Sequence, residues 1–336
     1  MEQQPTLRPV LGKLLVAFAI VAGWVLPIGM AATAHTGNTE HKQSVHVNDY
    51  GAVPNDSGDD TAAIRNAITA ASGWPRSDVV FSAGRYRIND MVTLHREISV
   101  DGNNAWVEWY GPTGGTMFRL GESSSTCAHV TQLRNIQLDG RAIAANNVYS
   151  NTIQERSGLH NVGLFGYTQN GILVDGVGSS CVPANFFIES VEAYPSDTGS
   201  NAPVGVNLNL PHTNVHHVRD VTAMGVGGRG YGIRFNDVQG GIIDGAHSEH
   251  SSVGVLLERS SGIQVTNVHG CCGVGTVVRV GLNGGVNNTL SNIVKRNPGG
   301  SGITLVRDDL NNVTIEDWDL GLYAIGPAPG KLVTNR

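Results

Sequence analysis

The chain has few charged residues, few aromatic residues and no Cys-x-x-Cys motif. Charged residues make up 15% of the 336 residues, aromatic residues 6%, and the formal net charge is -6. No basic stripe of the kind that binds phosphate backbones is present, so we expect no nucleic-acid partner. The mild acidity provides no long-range attraction for an anionic polymer. The four cysteines include no Cys-x-x-Cys pair, which argues against a thiolate zinc site.

Regularly spaced leucines and helical segments are missing too, which excludes a leucine-rich repeat. Instead, an Asn or Asp that is mostly followed by an apolar residue recurs at steps of 26, 29, 30, 24, 23, 25 and 25 residues. These anchors, with a serine filling one gap, are Asn135, Asn161, Ser190, Asp220, Asp244, Asn267, Asn292 and Asp317. A repeat of this length is a stronger indication of the fold than any local motif, because each unit must stack on its neighbours to bury a core.

Each unit contains two or three short β-branched runs separated by Gly, Asn, Ser and Asp, as in one coil of a parallel β-helix. After most anchors a second run opens with glycine, at Gly171, Gly205, Gly232, Gly254 and Gly302. The 44 glycines, about 13% of the chain, suit a solenoid with many tight turns. We predict that the anchors stack as side-chain ladders at a bend of the solenoid.

The alternation after each anchor predicts which side chains face outward. The first and third positions are mostly apolar, so they face the core, and the second and fourth face solvent. In the Asp244 coil strict alternation turns His247 inward. However, Gly245 and Ala246 break the apolar pattern there, so residues 247–250 are predicted to form a bulge or loop.

Residues 1–34 are typical of a secretion signal. Arg8 and Lys13 form a basic start, an uncharged apolar run follows, and Ala32-Thr33-Ala34 offers a cleavage site. An uncleaved membrane anchor is the alternative. We expect a secreted protein beginning near His35, with a loose leader at 35–44 and a single β-helix domain at 45–336. If the signal is cleaved, no stable membrane association is expected.

A helix at about residues 60–72 is predicted to cover the open end of the solenoid. Asp60 is a good N-cap residue, and Gly73 ends the helix. The apolar side chains that share one face are Ile64, Ala67, Ile68 and Ala71. An amphipathic helix ahead of a solenoid shields the end of the core from water.

Three segments around this helix carry a resemblance to a known family. They are Asp49-Tyr50-Gly51-Ala52, Asp59-Asp60-Thr61-Ala62-Ala63-Ile64 and Val79-x-Phe81-x-x-Gly84-x-Tyr86, with Ser82 where proline is usual. They resemble the opening of the pectate-lyase-like superfamily, in its rhamnogalacturonase or epimerase-like group. The resemblance implies an all-β, right-handed parallel β-helix with an amino-terminal capping helix. The family includes lyases, hydrolases, epimerases and phage spikes, so the fold alone leaves the chemistry open.

No catalytic motif of the family can be transferred to this sequence. The motif set of polygalacturonase-type hydrolases, the calcium-binding aspartates and Arg-x-Pro-x-x-Arg of pectate lyases, and the Asp-Pro-His of alginate epimerases are all missing. The candidate site residues are therefore taken from the coils in which titratable side chains are most concentrated. Six of the 12 histidines lie between His212 and His269, in the central coils.

The densest patch is His247-Ser248-Glu249-His250, which could supply an acid and a base across a sugar or could merely cap the bend. The predicted catalytic residues are Glu249, His250, His247 and Asp220. The predicted substrate-binding residues are Arg234, Arg219, Glu192, His269, Tyr194 and Tyr231. No metal site is predicted, although His247 and His250 with His216 or His217 form an alternative zinc site.

These residues favour a secreted enzyme that cleaves an acidic polysaccharide by elimination. A histidine would remove the proton next to a uronate carboxylate, and Arg219 or Arg234 would bind that carboxylate. The cofactor is unknown, with calcium the candidate for a lyase. The alternatives are a glycoside hydrolase using two carboxyl groups and a non-catalytic carbohydrate-binding or adhesive solenoid. The oligomeric state is not predicted.

The sequence leaves the disulfide state open. Cys127 and Cys181 lie two coils apart, so strict stacking separates them by roughly 10 Å, more than a disulfide spans unless the loops bend together. Vicinal disulfides are rare, so Cys271 and Cys272 are predicted to be two thiols, one inward and one outward.

Overall fold

The computed structural model describes residues 43–122, 126–196, 206–281, 287–296, 304–308 and 313–316, which belong to one compact unit. The predicted signal peptide and most of the leader lie outside the described residues, as does the anchor Asp317. Within the described ranges no helix is long and apolar enough to cross a membrane.

The described chain is almost entirely β-structure. Its first half begins with the strand β1 (Ser44–His46), a short 3-10 helix (Val47–Tyr50) and the α-helix α1 (Thr61–Ala71). The strands that follow are β2 (Ser77–Val80), β3 (Arg85–Ile88), β4 (Val92–Leu94), β5 (Ile98–Trp109), β6 (Thr116–Leu120), β7 (Gln132–Asp139), β8 (Asn146–Ser150), β9 (Gly158–Phe165), β10 (Asn170–Val174) and β11 (Ala184–Tyr194). The second half consists of β12 (Val206–Pro211), β13 (Asn214–Met224), β14 (Tyr231–Asn236), β15 (Gln239–Asp244), β16 (His247–Glu249), β17 (Val253–Glu258), β18 (Ser261–Cys271), β19 (Thr276–Val280), β20 (Asn288–Arg296), β21 (Thr304–Asp308) and β22 (Val313–Glu316).

These strands form two parallel sheets that wind along one axis. The larger sheet runs β1-β2-β5-β7-β9-β11-β13-β15-β18-β20-β22, with β3 beside β5 and with β16 between β13 and β18. The smaller sheet runs β4-β6-β8-β10-β12-β14-β17-β19-β21. Its strands include the predicted runs that follow the anchors. The predicted parallel β-helix is therefore confirmed.

The anchors mark a bend inside each long strand of the larger sheet. Their backbones are left-handed, with φ between 47° and 54° at Asn135, Asn161, Ser190, Asp220, Asn267 and Asn292. Asn tolerates this conformation better than most residues. The predicted ladder is present in two runs: Asn161 Nδ2 donates to Asn135 Oδ1 at 2.9 Å, and Asn292 Nδ2 donates to Asn267 Oδ1 at 2.6 Å.

One coil departs from the predicted register. Asp244 pairs with Arg219 rather than with Asp220, so Gly245 takes the left-handed position, with φ 73°. A Cβ on Gly245 would lie 2.7 Å from Asp220 Oδ1, which explains the glycine. Asp244 still joins the predicted ladder, because Asn267 Nδ2 donates to its Oδ1 at 2.7 Å, but the bend lies one residue later than predicted. The predicted bulge or loop is wrong, because β16 is a regular strand whose outward side chains are His247 and Glu249.

The capping helix is present. Its apolar face is fully buried, and it packs against β1, β2 and β4. The capping contact differs from the prediction, since Asp59 Oδ1 accepts the Thr61 N–H at 3.0 Å. The buried Asp60 carboxyl instead accepts the N–H groups of Val53 and Arg87, each at 2.9 Å. Its burial raises the Asp60 pKa more than these hydrogen bonds lower it.

All four cysteines are paired in disulfides, contrary to the two thiols expected at Cys271 and Cys272. Cys127 bonds Cys181 with their Cα atoms 5.4 Å apart, because the loops that carry them leave the strict stacking of the strands. Cys271 bonds its neighbour Cys272, with a Cα–Cα distance of 3.8 Å. Cys271 faces outward at the end of β18, and the chain bends at Cys272, where φ is 51°.

Candidate functional site

The outward side chains that follow the bends of the larger sheet form two columns along the solenoid, which we call the carboxyl-half face. The strand register places one side chain from each coil in each column. The first column contains Trp106, Gln137, Gly163, Glu192, Thr222, His247 and His269, and the second contains Glu108, Asp139, Phe165, Tyr194, Met224, Glu249 and Cys271.

Four side chains with donor atoms meet where β16 lies beside β18. His247 Nε2 is 2.7 Å from Glu249 Oε1, and Cys271 Sγ is 3.3 Å from the same oxygen. The rings of His247 and His269 are edge to face, with centroids 5.6 Å apart. His247 and Glu249 are partly exposed, at 31% and 23%. We call this set the His-Glu cluster.

The interior side of β16 explains why these two residues face outward. Ser248, between them, is buried, and its Oγ lies 2.6 Å from Ser251 Oγ. This hydrogen bond satisfies a polar group that would otherwise be costly inside the core. A Cβ on Gly254 would lie 3.1 Å from the Cβ of Ser248, so glycine there leaves room for the serine. Ala246 is buried as well, and the alternation then points His247 to solvent.

A stack of three aromatic rings lies on the same face, toward the amino-terminal coils. The rings of Trp106 and Phe165 are 5.1 Å apart, and those of Phe165 and Tyr194 are 5.3 Å apart and nearly parallel. Gly163 makes room for this stack, since a Cβ there would lie 2.6 Å from the Phe165 ring. The half-buried rings expose apolar surface of the kind on which sugar rings stack.

Tyr194 connects the aromatic stack to the His-Glu cluster. Burial raises the pKa of its hydroxyl, and the negative charges of Glu192 and Glu249 raise it further. The hydroxyl therefore stays protonated at neutral pH and can donate a hydrogen bond. A hydroxyl donor and two carboxylates thus lie near one another on this face.

The amino-terminal end of the face holds a buried carboxylate with cationic partners. Glu108 contacts Arg85 and lies 3.6 Å from Arg141, and the Tyr110 hydroxyl donates to it at 3.1 Å. Arg141 also lies over the Tyr110 ring, 3.9 Å from its centroid. This group and Phe165 were missed from the sequence. The available sequence signal was the alternation in the strand Arg85–Ile88, because a buried Tyr86 places Arg85 on the outward side.

Five predicted site residues meet on the carboxyl-half face, namely His247, Glu249, His269, Glu192 and Tyr194. Asp220 lies at the bend of β13, and Arg219 lies before that bend, 3.9 Å from Asp244. His250 lies in the left-handed turn after β16, where its N–H donates to the Cys272 carbonyl at 3.3 Å.

The remaining predicted residues do not join this site. Tyr231 and Arg234 belong to β14 of the smaller sheet, so the predicted pairing of Arg234 with a histidine base is not found. Arg234 instead binds Glu258 through Nε at 2.8 Å and Nη2 at 2.7 Å. In the alternative zinc site, His217 pairs in register with Ile242, not with His247. The side chain of His216 lies outside the described residues.

Several solved structures have a similar fold. The DFA-IIIase of Arthrobacter chlorophenolicus, solved with DFA-III, aligns with a TM-score of 0.56 at 12% identity, over 76% of this chain and 67% of that one. The enzymatically active domain of a tailspike of bacteriophage CBA120 aligns with a TM-score of 0.55 at 11% identity, over 81% of this chain and 47% of that one. This chain therefore spans less than half of that tailspike domain.

The surface adhesin PfbA of Streptococcus pneumoniae aligns with a TM-score of 0.48 at 13% identity, over 81% of this chain and 83% of that one. A search of curated protein sequences returns no match. The profile of one family, described as rhamnogalacturonase A/epimerase, pectate lyase-like, matches residues 44–277, more than half of the chain. Together with the parallel β-helix, this match shows that the chain belongs to the rhamnogalacturonase A/epimerase, pectate lyase-like family.

Proposed function

We propose that the protein binds an extended acidic polysaccharide along the carboxyl-half face and cleaves it by elimination at His247 and Glu249. The observation that carries this proposal is the 2.7 Å hydrogen bond between His247 Nε2 and Glu249 Oε1 on an outward surface. It lies on the same face as the stacked rings of Trp106, Phe165 and Tyr194. Aromatic faces suit the binding of sugars, and a carboxylate-oriented histidine suits proton transfer.

The hydrogen bond assigns roles to the two ring nitrogens. A neutral His247 that donates from Nε2 to Glu249 leaves Nδ1 as the proton acceptor. Nδ1 would take the proton next to a uronate carboxylate. The electrons of that carbon–hydrogen bond form a carbon–carbon double bond, and the glycosidic oxygen leaves with its electron pair and takes a proton from water. Glu249 stabilises the imidazolium ion formed in this step.

Hydrolysis is less well supported than elimination. Retaining hydrolysis needs two carboxyl groups about 5 to 5.5 Å apart, and inverting hydrolysis needs about 6.5 to 9.5 Å. From Glu249 toward the amino terminus, the next carboxylate in the two columns is Glu192, two coils away. Two coils correspond to roughly 10 Å. That spacing is too long for retention and lies beyond the usual range for inversion.

The test is a panel of acidic and neutral polysaccharides at several pH values, with and without calcium. Elimination gives unsaturated products that absorb in the ultraviolet, whereas hydrolysis gives new reducing ends without that absorbance. We expect elimination, with His247→Ala and Glu249→Gln lowering kcat by roughly 10²- to 10⁴-fold. His217→Ala, an exposed histidine before the bend of β13, is the matched control and should keep full activity. Reducing ends without ultraviolet absorbance would contradict the lyase.

A non-catalytic binding solenoid is the second candidate, because the aromatic stack alone can bind a sugar chain. In that case no polymer yields products, while Trp106→Ala and Tyr194→Ala still weaken binding to one of them. Each ring is expected to contribute about 1 kcal/mol, which corresponds to several-fold in Kd. Affinity electrophoresis in gels containing each polymer measures this contribution separately from cleavage.

We also propose that the protein is secreted, which rests on the signal-like residues 1–34. Expression of the full chain in a host that exports proteins should release a product into the medium that begins near His35. Amino-terminal sequencing of the released product measures the cleavage site. Retention of the intact chain in the membrane fraction would support the uncleaved anchor instead.

A further inference from the structure

The His-Glu cluster has the donor set and the spacing of a metal site. A nitrogen of His247, an oxygen of Glu249 and the sulfur of Cys271 all lie within 4.8 Å of one another. Two come from one strand and the third from its neighbour, where Glu249 and Cys271 are register partners. A paired β-sheet holds such positions rigidly, which favours a preorganised site.

The distances suit zinc. Zinc bonds to nitrogen, oxygen and sulfur are about 2.0 to 2.3 Å long, so the ligand atoms of a tetrahedral site lie roughly 3.3 to 3.8 Å apart. Here Cys271 Sγ is 3.3 Å from Glu249 Oε1, and His247 Nε2 is 2.7 Å from it. Movements of about 1 Å by exposed side-chain ends would complete three ligand positions. His269, in register with His247, is the neighbouring fourth donor.

The Cys271–Cys272 disulfide controls whether the sulfur can serve as a ligand. The metal ligand is the thiolate, whereas a disulfide sulfur carries no negative charge. Cys271 is only 8% exposed and Cys272 is more accessible, so a small thiol meets Cys272 first. Its attack on Cys272 Sγ breaks the S–S bond and releases the Cys271 thiolate, and a second thiol then frees Cys272 as a disulfide of the small thiol forms.

We propose that reduction of the Cys271–Cys272 disulfide by a low-molecular-weight thiol creates a binding site for zinc, or a similar divalent transition metal, at His247, Glu249 and Cys271. The oxidised protein lacks the thiolate and binds the metal weakly. The site is a property of three side chains and does not depend on whether a polysaccharide is cleaved.

Cobalt(II) is the probe, because thiolate coordination gives it an intense charge-transfer band in the near ultraviolet. The full chain is reduced with a small thiol, desalted without oxygen and titrated with cobalt, and zinc is then added to displace it. We expect the band in the reduced protein only. Loss of affinity in Glu249→Gln and His247→Ala, by roughly tenfold or more each, would identify the other ligands.

A matched pair of variants separates the two sulfurs. Cys272→Ser leaves Cys271 without its disulfide partner, so, handled without oxygen, it should bind cobalt with the same band and without prior reduction of that disulfide. Cys271→Ser removes the ligand and should show no band after reduction, although it keeps the thiols of Cys127 and Cys181. An equal band in Cys271→Ser, or none in both Cys272→Ser and the reduced wild type, would overturn the proposal.

Discussion

At the scale of single residues, the left-handed bends decide where each coil turns. Asn161 has φ 54° and donates an amide hydrogen bond to Asn135. We expect Asn161→Ala to lower the free energy of unfolding by about 2 kcal/mol. The hydrogen bond contributes about 1 kcal/mol, and alanine lacks the short polar side chain whose local hydrogen bonding lets asparagine tolerate a left-handed backbone. The shift of the urea midpoint measures this loss.

Asn161→Gly separates the two contributions. Glycine adopts the left-handed conformation freely but lacks the amide, so its loss should be about 1 kcal/mol. If both variants lose the same free energy, the backbone conformation contributes nothing, and the ladder hydrogen bond explains the whole effect.

The bends were predictable from the sequence because Asn, Asp and Ser recur at a nearly constant step. The exception was Asp244, since Gly245 satisfies the left-handed backbone without any polar side chain. A shift of one residue moves every following side chain to the other face. For that reason the outward direction of His247 and Glu249 could not be read from the anchors.

At the scale of elements, Asp60 ties the capping helix to the first coil. Its carboxyl is 4% exposed and accepts the N–H groups of Val53 and Arg87. We expect Asp60→Ala to destabilise the protein by roughly 2 to 6 kcal/mol, because two backbone donors lose their partner and about one to three kcal/mol is typical for each buried group. Thermal unfolding followed by circular dichroism measures the effect.

Asp59→Ala is the neighbouring control. It removes the acceptor of the Thr61 N–H and of the Thr61 hydroxyl and leaves the Asp60 carboxyl in place, and the lost cap is expected to cost about 1 kcal/mol. A larger loss from Asp59→Ala than from Asp60→Ala would show that the helix cap, and not the tie to the first coil, holds this element in place.

The elements themselves were largely predictable, whereas their contacts were not. The repeat and the opening motifs predicted a parallel β-helix, with two or three strands in each coil, and a capping helix. The stack of Phe165 on Trp106 and Tyr194 depends on the missing side chain at Gly163, which no periodicity indicates. The Cys127–Cys181 disulfide depends on loops that depart from the regular stacking.

At the scale of the whole molecule, a solenoid distributes one stretch of sequence over two sheets. Arg234 lies between Asp220 and His247 in the sequence, yet β14 belongs to the smaller sheet and β16 to the larger. Closeness in sequence therefore places residues in neighbouring coils but does not place them on the same face. Residues far apart in sequence, such as Trp106 and Glu249, share a face because the coils stack in register.

The stacking predicts how affinity depends on the length of the bound chain. Five steps between adjacent strands separate β5, which carries Trp106, from β16, which carries Glu249, and at about 4.8 Å per step they span roughly 24 Å. For size-fractionated oligosaccharides of a bound polymer, we expect affinity to rise until the chain covers this length and then to level off. Calorimetric titration of the Glu249→Gln variant measures it without cleavage.

Trp106→Ala removes the far end of this path while leaving the His-Glu cluster unchanged. In that variant affinity should level off at a shorter chain, since the additional sugars find no ring to stack on, and the shortest oligosaccharides should bind as they do to the parent protein. If Trp106→Ala weakens all lengths by the same factor, the ring supports the fold and not the chain. If affinity does not depend on length at all, the polysaccharide does not run along the axis of the solenoid.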